Sequence, residues 1–411
     1  MTAPKLRFKE FDGDWRINTF SSISKHISYG LTVRPDFVES GIPLVSAREI
    51  AKGLVNINKA PKISNNDFLK LSNKAKPRRN DLFLSKTGSI GFTAIVETDE
   101  TFAITQNIAI IRLDNLVLNN PIFFLHQMRT EKFQQSAIMR VNQSTIMDLQ
   151  LGDIKKLELG IPQKEEQTKI ASFLSAVDEK ISQLTQKHAL LSQYKQGMMQ
   201  KLFGQQIRFK ADDGSEFGAW EEKKLGDVCS RNYQGINTVA DKVEYQKVGY
   251  PILQAKHITS EKLDFYDARF LSELDFEKYK DKYIPNPNDI LFSNIGTIGK
   301  VVLVDESKPF FIAWNIFLIS VKMNLTVPLY LALYLRWLTS LNYFDNLQTG
   351  NATKFINKTD LLDTKVNLPC LEEQTKNANF LSAIDQKIAV VAQQIEQAKV
   401  WKKGLLQQMF V

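Results

Sequence analysis

Two short turns carry the side chains of this sequence best suited to meeting a phosphate or a base. Residues 85–91 read SKTGSIG and residues 293–299 read SNIGTIG, one pattern repeated 208 positions apart. The glycines suit a hairpin that needs positive φ. The same small residues let backbone N–H groups approach a phosphate oxygen. Polar and aromatic candidates sit at matching places in the two halves: Ser46 and Arg48 against Gln254 and Lys256, then Ser85, Lys86, Thr87 and Gly88 against Ser293, Asn294 and Gly296. Gln106 and Asn107 likewise face Trp314 and Asn315. Arg, Lys, Asn, Gln, Ser and Thr are the types that read base edges by hydrogen bonds. Arg78 and Arg79, in KPRRND, suit phosphate contact. For the polar members the plain alternative is surface solubility. Asn107 and Asn315 stand between apolar neighbours, where a structural hydrogen bond is an equal reading.

Motifs for covalent or cofactor chemistry do not accompany these turns. No two glycines lie two apart, so there is no G-x-G cofactor turn, and no GK[ST] loop occurs. No two prolines are adjacent, which removes the signature of amino-methyltransferases. His26, His126, His188 and His257 lack metal-ligand spacing. Asp36 follows Pro35 without a nuclease-like E-x-K. The expectation is therefore no catalytic residue and no metal ligand.

What must position the candidate residues is a duplicated chain. EEQTK occurs at residues 165–169 and again at 372–376. Aligned at offset 207, residues 161–203 and 368–410 share 19 identities in 43 positions. Residues 81–113 and 289–321, at offset 208, share 11 in 33; elsewhere the match fades to islands. One kind of segment is kept alike and the other diverges. The similar segments predict long helices, each after a Pro-containing turn, with Glu pairs in the first turn. Leu174, Val177, Ile181, Leu184, His188, Leu191, Lys195, Met198 and Leu202 alternate in steps of three and four, and so do Leu381, Ile384, Ile388, Val391, Ile395, Ala398, Lys402, Leu405 and Met409. That is a heptad seam. Its apolar candidates are Leu174, Val177, Ile181, Leu184, Leu191, Leu381, Ile384, Ile388, Val391 and Ile395; His188 reads as a partly exposed polar seam residue. The divergent segments, 1–160 and 208–367, predict strands around the glycine turns and at 102–113 and 310–321. They predict helices at 120–135 and 327–344, each with Pro near its start.

The 411 residues carry a net charge of +8, which favours a polyanionic partner. Two cysteines suit a reducing compartment. The longest apolar run, residues 310–321, is too short to span a bilayer. The expected location is cytoplasmic.

The repeated P-x-x-E-E-Q-x-K…F-L-S-A-[VI]-D segments, the S-x-x-G-x-I-G turns, FDGDW at Phe11 and FGAWEEKKLGDV at Phe217 together resemble the specificity (S) subunit of type I restriction–modification systems, over essentially the whole chain. The resemblance implies an α+β fold. Two α/β target recognition domains, 1–160 and 208–367, would be joined by two long antiparallel helices, a coiled coil in spacer regions 161–207 and 368–411, with pseudo-twofold internal symmetry. It implies a non-catalytic reader of double-stranded DNA, each recognition domain reading half of a bipartite target. The helices would set the spacer and dock two methyltransferase (M) subunits, and restriction (R) subunits would complete the assembly. No cofactor would be bound by this chain; S-adenosylmethionine and ATP would belong to the partners. Against this stand an enzyme with its own catalytic centre, disfavoured by the missing cofactor turn, and a coiled-coil scaffold without DNA contact, disfavoured by the divergent β-rich segments and the positive charge. EEQTK is expected to recur because each copy starts one arm of the spacer and docks the same partner.

Overall fold

A computed structural model describes residues 3–51, 53–142, 147–259, 262–306, 308–348 and 354–411. The chain divides into two compact units, Met1–Gln186 with Val391–Val411, and Lys187–Val390. Each unit thus takes the first half of one long helix and the second half of the other: the helices are Lys164–Phe203 and Leu371–Gln408.

In the first unit a four-stranded antiparallel sheet orders Ser24–Tyr29, Ile108–Leu113, Leu82–Ser85 and Thr93–Ile95. The second unit repeats it with Cys229–Gln234, Ile316–Val321, Ile290–Ser293 and Val301–Leu303. The register is kept to the residue: Leu82 faces Ile111 in one, and Ile290 faces Ile319 in the other. The expected strands around the glycine turns are these. Their near-continuous apolar runs have a physical reason. Alternate residues of a strand face opposite sides, and here both sides are covered. Leu82, Leu84, Ala109 and Ile111 enter one core, while Phe83, Ile108 and Ile110 enter another. Ile290, Phe292, Phe317 and Ile319 are divided from Leu291, Ile316 and Leu318 in the same way.

The expected helix over 120–135 is two, Pro121–Met128 and Glu131–Ile138. Thr130 separates them: its hydroxyl donates to the Gln127 carbonyl and accepts from the Phe133 N–H, which caps the second helix. In the other unit the run stays helical over Pro328–Ser340 and then tightens into a 3-10 turn, Tyr343–Leu347.

Within the first unit the helical segments run antiparallel: Phe173 meets the Trp401 ring edge-on at 5.9 Å, while Leu184 lines a cleft with Gln394. Leu174 and Val177 are buried, with Leu405 and Met409, in the core that also holds one face of the four-stranded sheet; Ile181 is half-buried against it. In the second unit Leu381 and Ile384 are buried with Met199 and Leu202, and Ile388 is half-buried. Leu184, Val391 and Ile395 are buried; Leu191 and His188 are half-buried. The polar seam positions are ion-paired. Lys402 bonds Asp178 in the first unit, and Lys195 bonds Asp385 at 2.6 Å in the second. These are one contact duplicated, since Asp178 matches Asp385 and Lys195 matches Lys402 at offset 207.

Candidate nucleic-acid interface

EEQTK proves to be an internal clamp. Glu166 is fully buried and accepts two bonds from the Arg7 guanidinium, both at 2.7 Å, and a third from the Trp15 indole at 3.3 Å. Glu373 does the same with Arg208, at 2.9 and 2.7 Å, and Trp220. The paired carboxylate raises the pKa of Arg7 and of Arg208. Gln167 accepts from the Asn120 N–H and donates to the carbonyls of Leu118 and Pro162. Gln374 repeats this with Val327, Leu325 and Pro369. Lys169 pairs with Glu10, and Lys376 with Asp212. The buried Glu and Gln present no surface for a partner. The recurrence is explained inside each unit, where the motif ties an N-terminal segment and the connection after the central strand to the helix, and the expectation of a docking motif is corrected for those two residues.

The three groups of candidate reading residues are brought together in each unit by backbone bonds. In the first, the Thr105 N–H donates to the Val45 carbonyl, which precedes Ser46; the Lys86 N–H donates to the Asn107 carbonyl; and the Gln106 N–H donates to the Leu31 carbonyl. In the second, Ala313 N–H donates to Leu253, Asn294 N–H to Asn315, and Trp314 N–H to Ile236. Gly30 and Gly235 make this closure possible. A Cβ on Gly30 would stand 1.8 Å from the Ile104 carbonyl oxygen, and one on Gly235 would stand 2.3 Å from that of Ile312. Neither glycine was singled out from the sequence, because a close approach leaves no periodic signal.

Convergence does not make every member available. Ser85 and Ser293 are fully buried staples: each hydroxyl donates across its turn, to Ser89 and Thr297, and accepts from Phe92 and Lys300 N–H. They reach no surface that a base could meet, which corrects the expectation for both. Lys86 is buried and bonded to Asp148 at 2.6 Å; Thr87, half-buried, donates to the same carboxylate. Burial opposes ionisation of Asp148, but the bonds from Lys86 and Thr87 win and hold its pKa down. Asn294 is 1% exposed and donates to the Ile356 carbonyl. Lys86 and Asn294 therefore tie the turn to the next segment, which corrects them too. Gly88 and Gly296, at φ +75° and +80°, have open space around them, so they serve the turn rather than a close approach. Their N–H groups already donate, to Met147 and Lys354.

Asn107 and Asn315 are half-buried, and the Asn315 side chain accepts from the Ala255 N–H, the structural reading of that position. Ser46 caps a short helix, with Glu49 closing the box; Gln254 occupies the same place, its N–H donating to His257 Nδ1 at 2.8 Å. Lys256 is exposed and paired with Asp267, whose pKa it lowers. Arg79 is paired with Asp99, which raises its pKa. Water and salt screen exposed pairs of this kind, so a phosphate could displace either carboxylate. Arg48, Arg78, Gln106 and Trp314 are exposed. Among the described residues no cluster of His, Cys, Asp and Glu could hold a metal ion, and no helix is long and apolar enough to cross a membrane.

The family model for the type I restriction modification DNA specificity domain matches twice, over residues 40–193 and 218–400. A protein assigned as the MjaX type I restriction enzyme specificity subunit of Methanocaldococcus jannaschii is 28% identical, over 98% of this chain and 94% of its own. The MjaVIII specificity subunit of the same organism is 24% identical, over 97% and 94%. The S subunit of a type I restriction–modification system from M. genitalium has a similar fold, with a TM-score of 0.59 at 16% identity, over 100% of this chain and 99% of that one.

Proposed function

This chain belongs to the type I restriction modification DNA specificity family, and from that premise we propose how its two units divide the task. The chain gives a restriction–modification complex its DNA sequence specificity and leaves the chemistry to other subunits. Each unit reads one half of a bipartite target in double-stranded DNA through the three loops that its backbone bonds bring together. The two long helices set the unread spacer and dock two methyltransferase subunits; restriction subunits complete the cutting complex. S-adenosylmethionine and ATP bind those partners.

The observation that carries this reading is the contrast within each loop cluster. The buried staples, glycine contacts and backbone bonds recur in both units, while the exposed residues differ: Arg48 against Lys256, and Gln106 against Trp314. A shared frame with unlike faces is what two unlike half-sites require. The test is a chimera. Residues 1–160 exchanged for those of a related subunit should alter one half of the methylated motif, mapped genome-wide, and leave the other half as it was. A change in both halves would break the modular reading. Methyl transfer by the purified chain alone, given DNA and S-adenosylmethionine, would overturn the division of labour.

A further inference from the structure

Residues 106 and 314 occupy one structural position, and the loop frame singles that position out. Both lie between a short strand, Ala103–Ile104 paired with Leu44 and Val45 or Phe311–Ile312 paired with Ile252 and Leu253, and the central strand, Ile108–Leu113 or Ile316–Val321. Their backbones are held alike. Gln106 N–H donates to Leu31 at 2.9 Å and Trp314 N–H to Ile236 at 2.8 Å. The Trp314 carbonyl also accepts from the Gln234 side chain at 2.6 Å. Just before them, Gly30 and Gly235 press against the incoming strand so closely that no side chain fits. Just after them, Asn107 and Asn315 receive the glycine turn through Lys86 and Asn294 N–H. The side chain therefore leaves a rigid support and points to solvent: Trp314 is 46% exposed, and Gln106 is exposed as well. The indole is about half covered and half open to solvent, and among the described residues its ring meets no other aromatic ring. Most other paired candidates are buried in the frame or hold a carboxylate.

Resting on the DNA reading above, we propose that this position is a specificity-determining one in each unit, and that the two units use it through different chemistry. Gln106 offers an amide that can donate and accept at once, the geometry that matches the N6 and N7 edge of adenine in the major groove. Trp314 offers only an apolar face and one N–H donor. It reads by contact with a thymine C5 methyl, the apolar feature of the major-groove edge. One side chain asks for hydrogen bonds and the other for a methyl group, so a single backbone frame yields two unlike half-sites.

The experiment uses the full chain with its methyltransferase subunits and compares wild type with Gln106→Ala, Trp314→Ala and Trp314→Phe. The readout is the methylated motif, with competition binding against duplexes altered one base pair at a time, including uracil for thymine. Gln106→Ala should lower discrimination at a single adenine of one half-site by about ten-fold or more. Trp314→Ala should do so at a single thymine of the other, and Trp314→Phe should keep most of it. Uracil at that thymine should weaken wild type and leave Trp314→Ala indifferent. Variants that melt like wild type and retain full discrimination at every base pair would overturn the proposal. Wild-type complex without sequence-dependent binding would instead sink the DNA reading on which it rests.

Discussion

The two units solve one electrostatic problem in opposite ways. Asp81 and Asp289 open the matching strands and are 1% and 5% exposed. Each accepts a backbone N–H, from Arg78 and from Asn286. In the first unit the neutralising cation is Arg112, from the central strand, bonded at 2.7 and 2.6 Å. In the second that strand carries Ser320, and the cation is Arg231 from the neighbouring strand, at 2.8 Å. His26 stands where Arg231 does: it is paired across the strands with Arg112, as Arg231 is with Ser320. Burial, then the nearby Arg112, hold the pKa of His26 below its usual value. The buried carboxylate is kept and its partner has moved by one strand. By contrast, Glu166 and Glu373 keep the same partners, arginine and tryptophan. The difference suggests that a sheet, which offers two neighbours to every strand, tolerates rearranged pairing, while a clamp joining segments distant in sequence has one geometry.

Breaking the clamp should give the largest effect. Glu166→Gln leaves the Arg7 charge against a buried neutral amide, a change that typically costs about 3–5 kcal/mol for a buried pair. Arg7 keeps some solvent contact, so about 3 kcal/mol is expected. Chemical denaturation measures the loss, and proteolysis should open residues 3–15 first. Glu373→Gln should act alike in the second unit and open residues 204–220. A loss in only one of the two would mean that the clamps are not equivalent.

The sheet pairing should be exchangeable. Arg112→Ser alone strands Asp81 and should cost about 3 kcal/mol. His26→Arg added to it recreates the arrangement of the second unit and should restore most of the melting temperature. A double variant no more stable than Arg112→Ser would show that the two strands are not interchangeable sources of the cation.

Legibility from the sequence followed the same division. Strands and glycine turns rest on local period and duplicated spacing, and they stand where expected; of the seam residues, Leu174, Val177, Leu184, Leu381, Ile384, Val391 and Ile395 are buried, while Ile181, Leu191 and Ile388 are half-buried. The clamp was invisible, because Arg7 and Glu166 are 159 residues apart and Arg208 and Glu373 are 165 apart. The repeat of RFK at Arg7 and Arg208 falls at offset 201 rather than 207, since Trp15 follows its arginine by eight residues and Trp220 by twelve, and the stretch from tryptophan to glutamate is 151 residues in one unit and 153 in the other. The reading candidates were overcounted for a related reason. A polar type at a matched position signals only that both units keep it, and Ser85 and Ser293 are kept to staple a turn.

The smallest effect should come from a position where the helices over the two sheets differ. His126 lies on Pro121–Met128, and Leu333 holds the same place on Pro328–Ser340, each helix starting from its proline. His126 is 2% exposed, and among the described residues neither ring nitrogen has a hydrogen-bond partner. Burial, with Arg129 and Lys402 adding repulsion against the weaker pull of Asp178, lowers its pKa to about 3. An unfolded histidine titrates near 6.5. Between those values the unfolded chain binds a proton that the folded unit refuses, so stability falls as pH falls from about 6.5 toward 3, by at most about 1.4 kcal/mol per pH unit. Above pH 7 the term vanishes. Leu333 adds no such dependence to the second unit. Hydrogen exchange, corrected for its intrinsic pH dependence, should therefore show Pro121–Met128 losing protection between pH 7 and 5 while Pro328–Ser340 loses less. His126→Leu should remove that difference and raise stability at pH 5 more than at pH 7, because it deletes both the unmade hydrogen bonds and the refused proton. Equal profiles for the two helices in wild type, or a His126→Leu gain that is the same at both pH values, would mean that the imidazole finds a partner and that the units differ here in shape alone.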